Sequence, residues 1–315
     1  MQTSLFVGLS AVILTVEDGV PLFLSTHRPG NVAALPFGAF DPAKDRTFEL
    51  ALRGWVTAQT GFPLGHVEQL YTFGDRNREQ PESDGPPTKP EDVRMISVGY
   101  LALTSEPATL GAKFDARWRN WYAYFPWEDH RNGRPAIIDQ FLSPALQTWA
   151  AGNVQRQDRA RLAFGLDGYA WIEERVLERY ELLYEAGLVA EAARDARLPA
   201  EKTSAGEPMS SDHRRILATA ISRLRGKLKY KPVVFDLVGD VFTLSALQGV
   251  VESILGLRLH KQNFRRALDR ANMVEGTGQM ETGTGGRPAE LYKFRRDLLN
   301  QRVHMGVSTP IVKQE

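Results

Sequence analysis

The chain of 315 residues has room for two or three domains, and its 43% hydrophobic and 24% charged residues can bury substantial cores, which excludes disordered and fibrous classes. Without cysteine there are no disulfides, thiolate zinc sites or thiol catalysis, and no apolar run approaches the roughly 20 residues of a membrane span, so a cytoplasmic, nucleoid-associated protein with no membrane role is expected. The net charge of +1 hides a division: residues 210–315 hold 18 Lys and Arg against 10 Asp and Glu, a net of +8, whereas residues 1–209 carry −7. A basic segment joined to an acidic one points to a polyanionic partner, nucleic acid before others.

MQTSLFVGLSAVILTV lacks the basic flank of a signal peptide and reads as a first strand. After the turn EDGVP come PLFLSTHR, a helix from about Thr47 to Thr60, and the strands VEQLYTFGD and RMISVGYLALT, an α+β domain over residues 1–112. The polar, proline-rich stretch from Arg76 to Asp92 is a surface loop, placed to act as a flap beside that helix. Residues 113–209 follow as a helical region. SPALQTWAAGNVQRQDRARLAFG and YAWIEERVLERYELLYEAGLVAEAARD predict two long helices packed as a hairpin. In the second, Trp171, Ile172, Val176, Leu177, Tyr180, Leu183 and Tyr184 form an apolar stripe that faces either its own core or a dimer interface. LPAEKTSAGEPM has linker composition and sets a boundary near residue 210.

The C-terminal segment, 210–315, opens with the basic helix SDHRRILATAISRLRGKLKYKP, whose Arg214, Arg215 and Lys227 are candidates for phosphate contacts. Thr243 then caps FTLSALQGVVESILG, with Gly256 as its stop, and is grouped with the DNA-facing residues. HKQNFRRALDRANMV is a second helix with Phe264, Ala267, Leu268 and Ala271 inward. At and after its start, His260, Lys261, Gln262, Asn263, Arg265 and Arg266 are the residue types that reach base edges and phosphates from a helix in the major groove. MVEGTGQMETGTGGRPAELYKF completes the pattern as two strands around a glycine-rich wing. Its Arg287 either enters the minor groove or pairs with Glu281 or Glu290. A solvated charged face would resemble this helix in isolation; the capped helix before it and the wing after it favour a winged helix-turn-helix.

No catalytic constellation accompanies these elements. The six histidines show no HxH or HExxH spacing, no GxSxG or P-loop occurs, and no metal site is expected. PFGAFDPAKDRTFELALRGWVTAQTGF, from Pro36 to Phe62, resembles the frame of a Nudix box, G-x5-E-x7-R-E-U-x-E-E-x-G-U. Anchored on Gly61 and Phe62, however, the glutamate positions fall on Ala58, Gln59, Trp55 and Arg46, and the arginine on Gly54. A cleft without those carboxylates would meet anionic ligands with Arg28, Arg46, Arg53, Arg76, Arg78 and Arg94, whose guanidinium forks suit phosphate. Each arginine is also explicable as surface charge. Trp55 either stacks a base or belongs to the core.

The degenerate box together with DHRRILATAISRLRGKLKY, FTLSALQGVVESILG, HKQNFRRALDRANMV and GGRPAELYKF resembles the Nudix-related transcriptional regulators of NAD metabolism. The longer middle region, with WYAYFPWEDHRNGRPAI, is most similar to the alphaproteobacterial NadQ-type branch that controls de novo NAD synthesis. The resemblance implies a Nudix-like α/β/α sandwich, a helical middle segment and a winged helix. It further implies a homodimeric repressor on palindromic operator DNA, without catalysis or a required cofactor, that responds to NAD, ADP-ribose or ATP. The alternative is a Nudix-type pyrophosphohydrolase with displaced metal ligands and an auxiliary nucleic-acid-binding domain. An RNA-binding module is disfavoured because no stretch interleaves aromatic with basic residues.

Overall fold

Strand β1 (Ser4–Glu17) turns through Asp18 and Gly19, both at positive φ (48° and 74°), into β2 (Val20–Arg28), with Glu17 opposite Val20. Asp-Gly satisfies the left-handed conformation that a two-residue hairpin requires. The computed structural model describes residues 4–28, 32–75, 78, 93–111, 114–196, 205–281 and 288–295. The short strands β3 (Val32–Ala34) and β4 (Phe37–Ala39) precede helix α1 (Phe48–Thr60), and β5 (Val67–Phe73), β6 (Val93–Leu103) and β7 (Ala116–Asn120) follow it. They form one sheet in the order β3-β2-β1-β6-β5, with β4 also on β1 and β7 on β2; β1 and β6 run parallel and the other pairs antiparallel. Strand β7 lies beyond residue 112, so the first domain extends past the boundary expected for it.

Central strand β1 is buried on both faces, as a strand between two helical layers must be. Leu9, Ala11 and Ile13 pack with Ala51, Leu52 and Val56 of α1; Val12, Leu14 and Val16 pack on the opposite side. Helix α1 has the bounds its sequence predicts. The Thr47 hydroxyl accepts from Leu50 N (3.2 Å), and Gly61, at φ 71°, closes the other end.

The second helical layer is α6 (His213–Leu228), which packs against β1 and β5 as well as against α4 (Val176–Glu185). Ile216, Leu217, Ala220, Ile221 and Leu224 are buried there. Helix α6 therefore completes the α/β/α sandwich, which corrects its expected place at the start of the C-terminal domain. The middle region also differs from a hairpin of two long helices. A π-helical turn (Ile138–Leu142) leads into α2 (Ser143–Trp149), and α3 (Val154–Phe164), α4 and α5 (Ala190–Asp195) are separate. Gly152, Gly165, Gly168 and Gly187 adopt positive φ between them, where a helix cannot continue. The apolar stripe of α4 faces its own core: Val176, Tyr180 and Leu183 have no exposed surface.

Helix α7 (Leu244–Leu255), helix α8 (Lys261–Ala271) and the hairpin β8 (Val274–Glu281) with β9 (Ala289–Phe294) follow a 3-10 turn at Val233–Leu237. Phe242 and Tyr292 exchange backbone hydrogen bonds (2.9 and 2.8 Å), so the segment before α7 pairs with the hairpin. Two helices joined by a tight turn and flanked by a β-hairpin make a winged helix.

Candidate nucleic-acid interface and the degenerate box

Helix α8 seats Phe264 and Leu268, both fully buried, against α7 and the core, with Ala271 packed beside them and Ala267 half-buried. Lys261, Gln262, Arg265, Arg266 and Arg270 are exposed, and among the described residues none of these cations forms an ion pair. Asn263 and His260 are half-buried; His260 is the N-cap residue, but its ring makes no capping bond. The turn entering α8 is held by Glu252 of α7, whose carboxylate accepts from Leu259 N (2.9 Å) and Gln248 Nε2 (2.8 Å) and pairs with Arg258 (2.9 Å). The helix is thus presented by a fixed turn, with four uncompensated positive charges facing solvent. A helix of this kind suits a polyanionic groove. Arg287 lies outside the described residues.

Three further residues expected at the DNA are not free to reach it. Arg214 is fully buried: it pairs with Glu191 (3.1 Å) and donates to the carbonyls of Tyr124 and Ala205, the latter at 2.6 Å. Arg215 is held by Asp75, by Glu181 (2.5 Å) and by Asp212 (3.2 Å). Thr243 is 7% exposed, and its hydroxyl is occupied by Ala246 N (3.1 Å) as the α7 cap. Lys227 is likewise buried and paired with Glu68. The physical reason is common to the three cations: α6, which carries them, packs on the sheet and on α4, so they are neutralised by carboxylates there, whereas Thr243 is occupied as a helix cap.

The same inward-turned helix fixes α7 in place. Arg225 donates from Nη1 to Glu128 (2.5 Å) and from Nε to the Ile254 carbonyl (2.8 Å), and Arg179 grips the same carboxylate at 2.6 and 2.9 Å. All three side chains are buried. Burial alone would raise the Glu128 carboxyl; the Arg179 and Arg225 guanidiniums overcome this and hold it below the usual carboxylate range. Nearby, Tyr122 Oη donates to Ser253 O (2.7 Å), His130 N to Gly256 O (2.7 Å), and Ser253 Oγ to Gly19 O in the β1–β2 turn (2.9 Å). Sequence reasoning missed this socket because its parts, Glu128, Arg179 and Arg225, lie in three separate segments.

In the box, the residues do not fit a metal. The α1 carboxylate Glu49 is tied to Arg53 (2.7 Å), and Gln59 holds the Phe37 backbone through both amide atoms (3.1 and 2.5 Å). Among the described residues no group of three His, Asp or Glu side chains could hold a metal ion. The arginines expected to converge on a ligand do not. Arg53 donates to the carbonyls of Leu64 and Gly65, Arg94 to Gly74 O (2.5 Å), and Arg78 makes a bidentate pair with Glu181 (2.9 Å each) over the Tyr184 ring. Trp55 lies on Gly38, where a Cβ would meet its ring at 2.1 Å, and its indole N–H reaches Ala39 O (3.1 Å). Arg46 remains exposed, while Arg76 and the side chain of Arg28 lie outside the described residues. An open cleft of about 1060 Å³ is found elsewhere, between the start of β5 (Glu68, with His66 just before it), the end of α6 and the turn after it (Lys227, Lys231), and the winged-helix segment (Phe235, Phe294).

Residues 234–294 match the family model described as the NrtR DNA-binding winged helix domain. Over 86 residues the chain is 40% identical to the ADPR responsive transcriptional repressor NtrR of Acinetobacter baylyi, a match that covers 27% of this chain and 34% of that protein; the chain thus spans about a third of the length of the curated relative it matches. Its fold is similar to the crystal structure of Shewanella oneidensis NrtR complexed with a 27mer DNA (TM-score 0.55, 21% identity, 92% of this chain and 94% of that one). A MutT/nudix family protein from Enterococcus faecalis is similar at a TM-score of 0.50 and 18% identity, over 94% of this chain and 87% of that one.

Proposed function

We propose that this chain, NrtR-like in its winged-helix sequence and in its fold, is a ligand-responsive transcriptional repressor whose Nudix-like domain binds without hydrolysing. The observation that carries the reading is the outward face of α8, with Lys261, Arg265, Arg266 and Arg270 unpaired on a helix whose other side is locked into the core. A helix held this way fits the major groove, and two copies on a palindrome would place their α8 helices about one turn of DNA apart. The partner is therefore double-stranded operator DNA bound by a homodimer, ahead of genes for NAD biosynthesis in keeping with the family likeness.

ADP-ribose is the first effector to test, because the Acinetobacter relative is named for its response to it; NAD and ATP follow. Substitution of the box carboxylates supports sensing over turnover, since a regulator that destroyed its effector would erase its own signal. Of the described arginines assigned to the ligand, Arg46 is left exposed to meet a phosphate.

The decisive experiment is gel-shift affinity for promoter duplexes with Arg265 and Arg266 replaced together by alanine. Binding is expected to fall at least a hundredfold with the melting temperature unchanged, and to weaken steeply with salt in the parent protein. Equal affinity of the variant would remove the assignment. Release of AMP from ADP-ribose in the presence of magnesium would instead favour the hydrolase.

A further inference from the structure

The outward face of α8 is not uniformly cationic. At 100° per residue, Gln262, Arg266 and Asp269 fall within about 60° of one another, directly opposite the buried Phe264 and Leu268. Lys261 and Arg265 flank this line on one side; Asn263 and Arg270 flank it on the other. The arrangement separates two tasks. Cations at the sides of a groove-bound helix meet the two phosphate walls, and the residues along its outermost line meet the base edges between them.

Asp269 is the anomaly in that line. It is exposed, and among the described residues its carboxylate has no hydrogen-bond or ion-pair partner, although Arg265 and Arg270 are its neighbours on the helix. Its backbone carbonyl accepts from Asn272 N (3.1 Å), a bond that any residue at the position would make. Among the described residues the side chain meets the fold only through the field it exerts on the Tyr292 hydroxyl of β9. Facing phosphates, a carboxylate would only oppose binding. Facing bases, its acceptor oxygens match the amino group that cytosine presents in the major groove. From Gln262 to Asp269 the helix rises about 10 Å, the length of about three base-pair steps, so three successive positions are within reach.

We propose that Asp269 is the specificity-determining residue of this helix: it accepts from the cytosine amino group of a C·G pair and disfavours thymine and guanine, which present oxygens, and adenine, whose amino group adjoins the N7 acceptor, while Arg266 and Gln262 read guanine and adenine in the adjoining positions. The proposal rests on the DNA-binding reading above. It adds a selective cost to binding the wrong sequence, because a carboxylate beside a thymine or guanine oxygen meets acceptor with acceptor.

Selection from a randomised duplex pool with the parent protein and with Asp269→Asn tests it, each protein first checked for the same melting temperature and circular dichroism. The amide keeps the shape but offers the paired donor and acceptor that suit adenine. The expected result is a motif in which one cytosine position is lost or changed to adenine while the other positions persist, with affinity for non-cognate duplex raised and the ratio of cognate to non-cognate binding lowered about tenfold. An identical motif from both proteins, or a loss of preference at every position, would overturn the proposal while leaving DNA binding intact. A parent protein that enriches no motif would overturn both.

Discussion

Replacing Glu128 by glutamine keeps the shape of the side chain and removes the one negative charge between two buried guanidiniums. The parent carboxylate is 1% exposed and accepts from Arg179 at 2.6 and 2.9 Å and from Arg225 at 2.5 Å. The arginines keep their carbonyl acceptors, among them Ala163 O, Ile172 O and Ile254 O, so their donors are not all orphaned; their charge is. Breaking a buried pair from one side costs about 3–5 kcal/mol. At roughly 2–4 °C per kcal/mol for a chain of this size class, the melting temperature should drop by about 10 °C. Thermal and urea unfolding at pH 7 read this directly, and a cycle with Arg225→Met should give a coupling of at least about 2 kcal/mol. The pH dependence has a defined sign. Because the folded carboxyl is held low, the stability it contributes is present above the ordinary carboxylate range and is lost as pH falls through its depressed value. A loss below about 1 kcal/mol for Glu128→Gln would refute the socket as the anchor of α7.

Burial raises the Asp212 carboxyl to about 7, against the opposing pull of Arg215 and Arg78. Its contribution is full near pH 4 and fades as pH rises through 7, so Asp212→Asn should flatten stability across that window and raise it at pH 8 by about 2–4 kcal/mol, measured by urea unfolding. Gly256→Ala should destabilise by more than about 3 kcal/mol, since φ is +70° and the new Cβ would lie 2.2 Å from Glu128 O; an unchanged urea midpoint would contradict the packing at the end of α7.

Local signals were legible wherever they were also sufficient. The Thr243 and Gly256 pair bounded α7, because caps act within one turn of backbone. The inward set of α8 followed from periodicity alone. What periodicity does not record is which partner a helix packs against. The basic stretch 214–229 reads as a polyanion surface until Glu191, Asp75, Glu181, Glu128, Glu68 and Glu174 are brought to its arginines and lysines from distant segments. Arg53 and Arg94 are engaged elsewhere for a related reason: main-chain carbonyls at Leu64, Gly65 and Gly74 compete for guanidinium donors, and carbonyls leave no mark in a sequence.

That redistribution of charge bears on how, under the proposed function, a ligand signal would reach the DNA. With Arg214, Arg215, Arg225 and Lys227 of α6 neutralised by carboxylates, the unpaired cations of the winged helix lie, among the described residues, on α8, and α8 is carried by α7. Helix α7 in turn is bonded to the sandwich at Gly19, Tyr122, His130 and Arg225, contacts that span the β1–β2 turn, the aromatic segment after β7 and α6. A free swing of the winged helix about residues 229–243 would break all four together, together with the desolvated charge of Arg225. Under the proposed function, a change in DNA affinity would therefore need less motion than a hinge gives. A shift of the β1–β2 turn would then reach Ser253 of α7 through the Gly19 carbonyl. The stiffness of the socket thus ties α7 to the β1–β2 turn and to α6, so that a displacement of either is felt by the helix that carries α8.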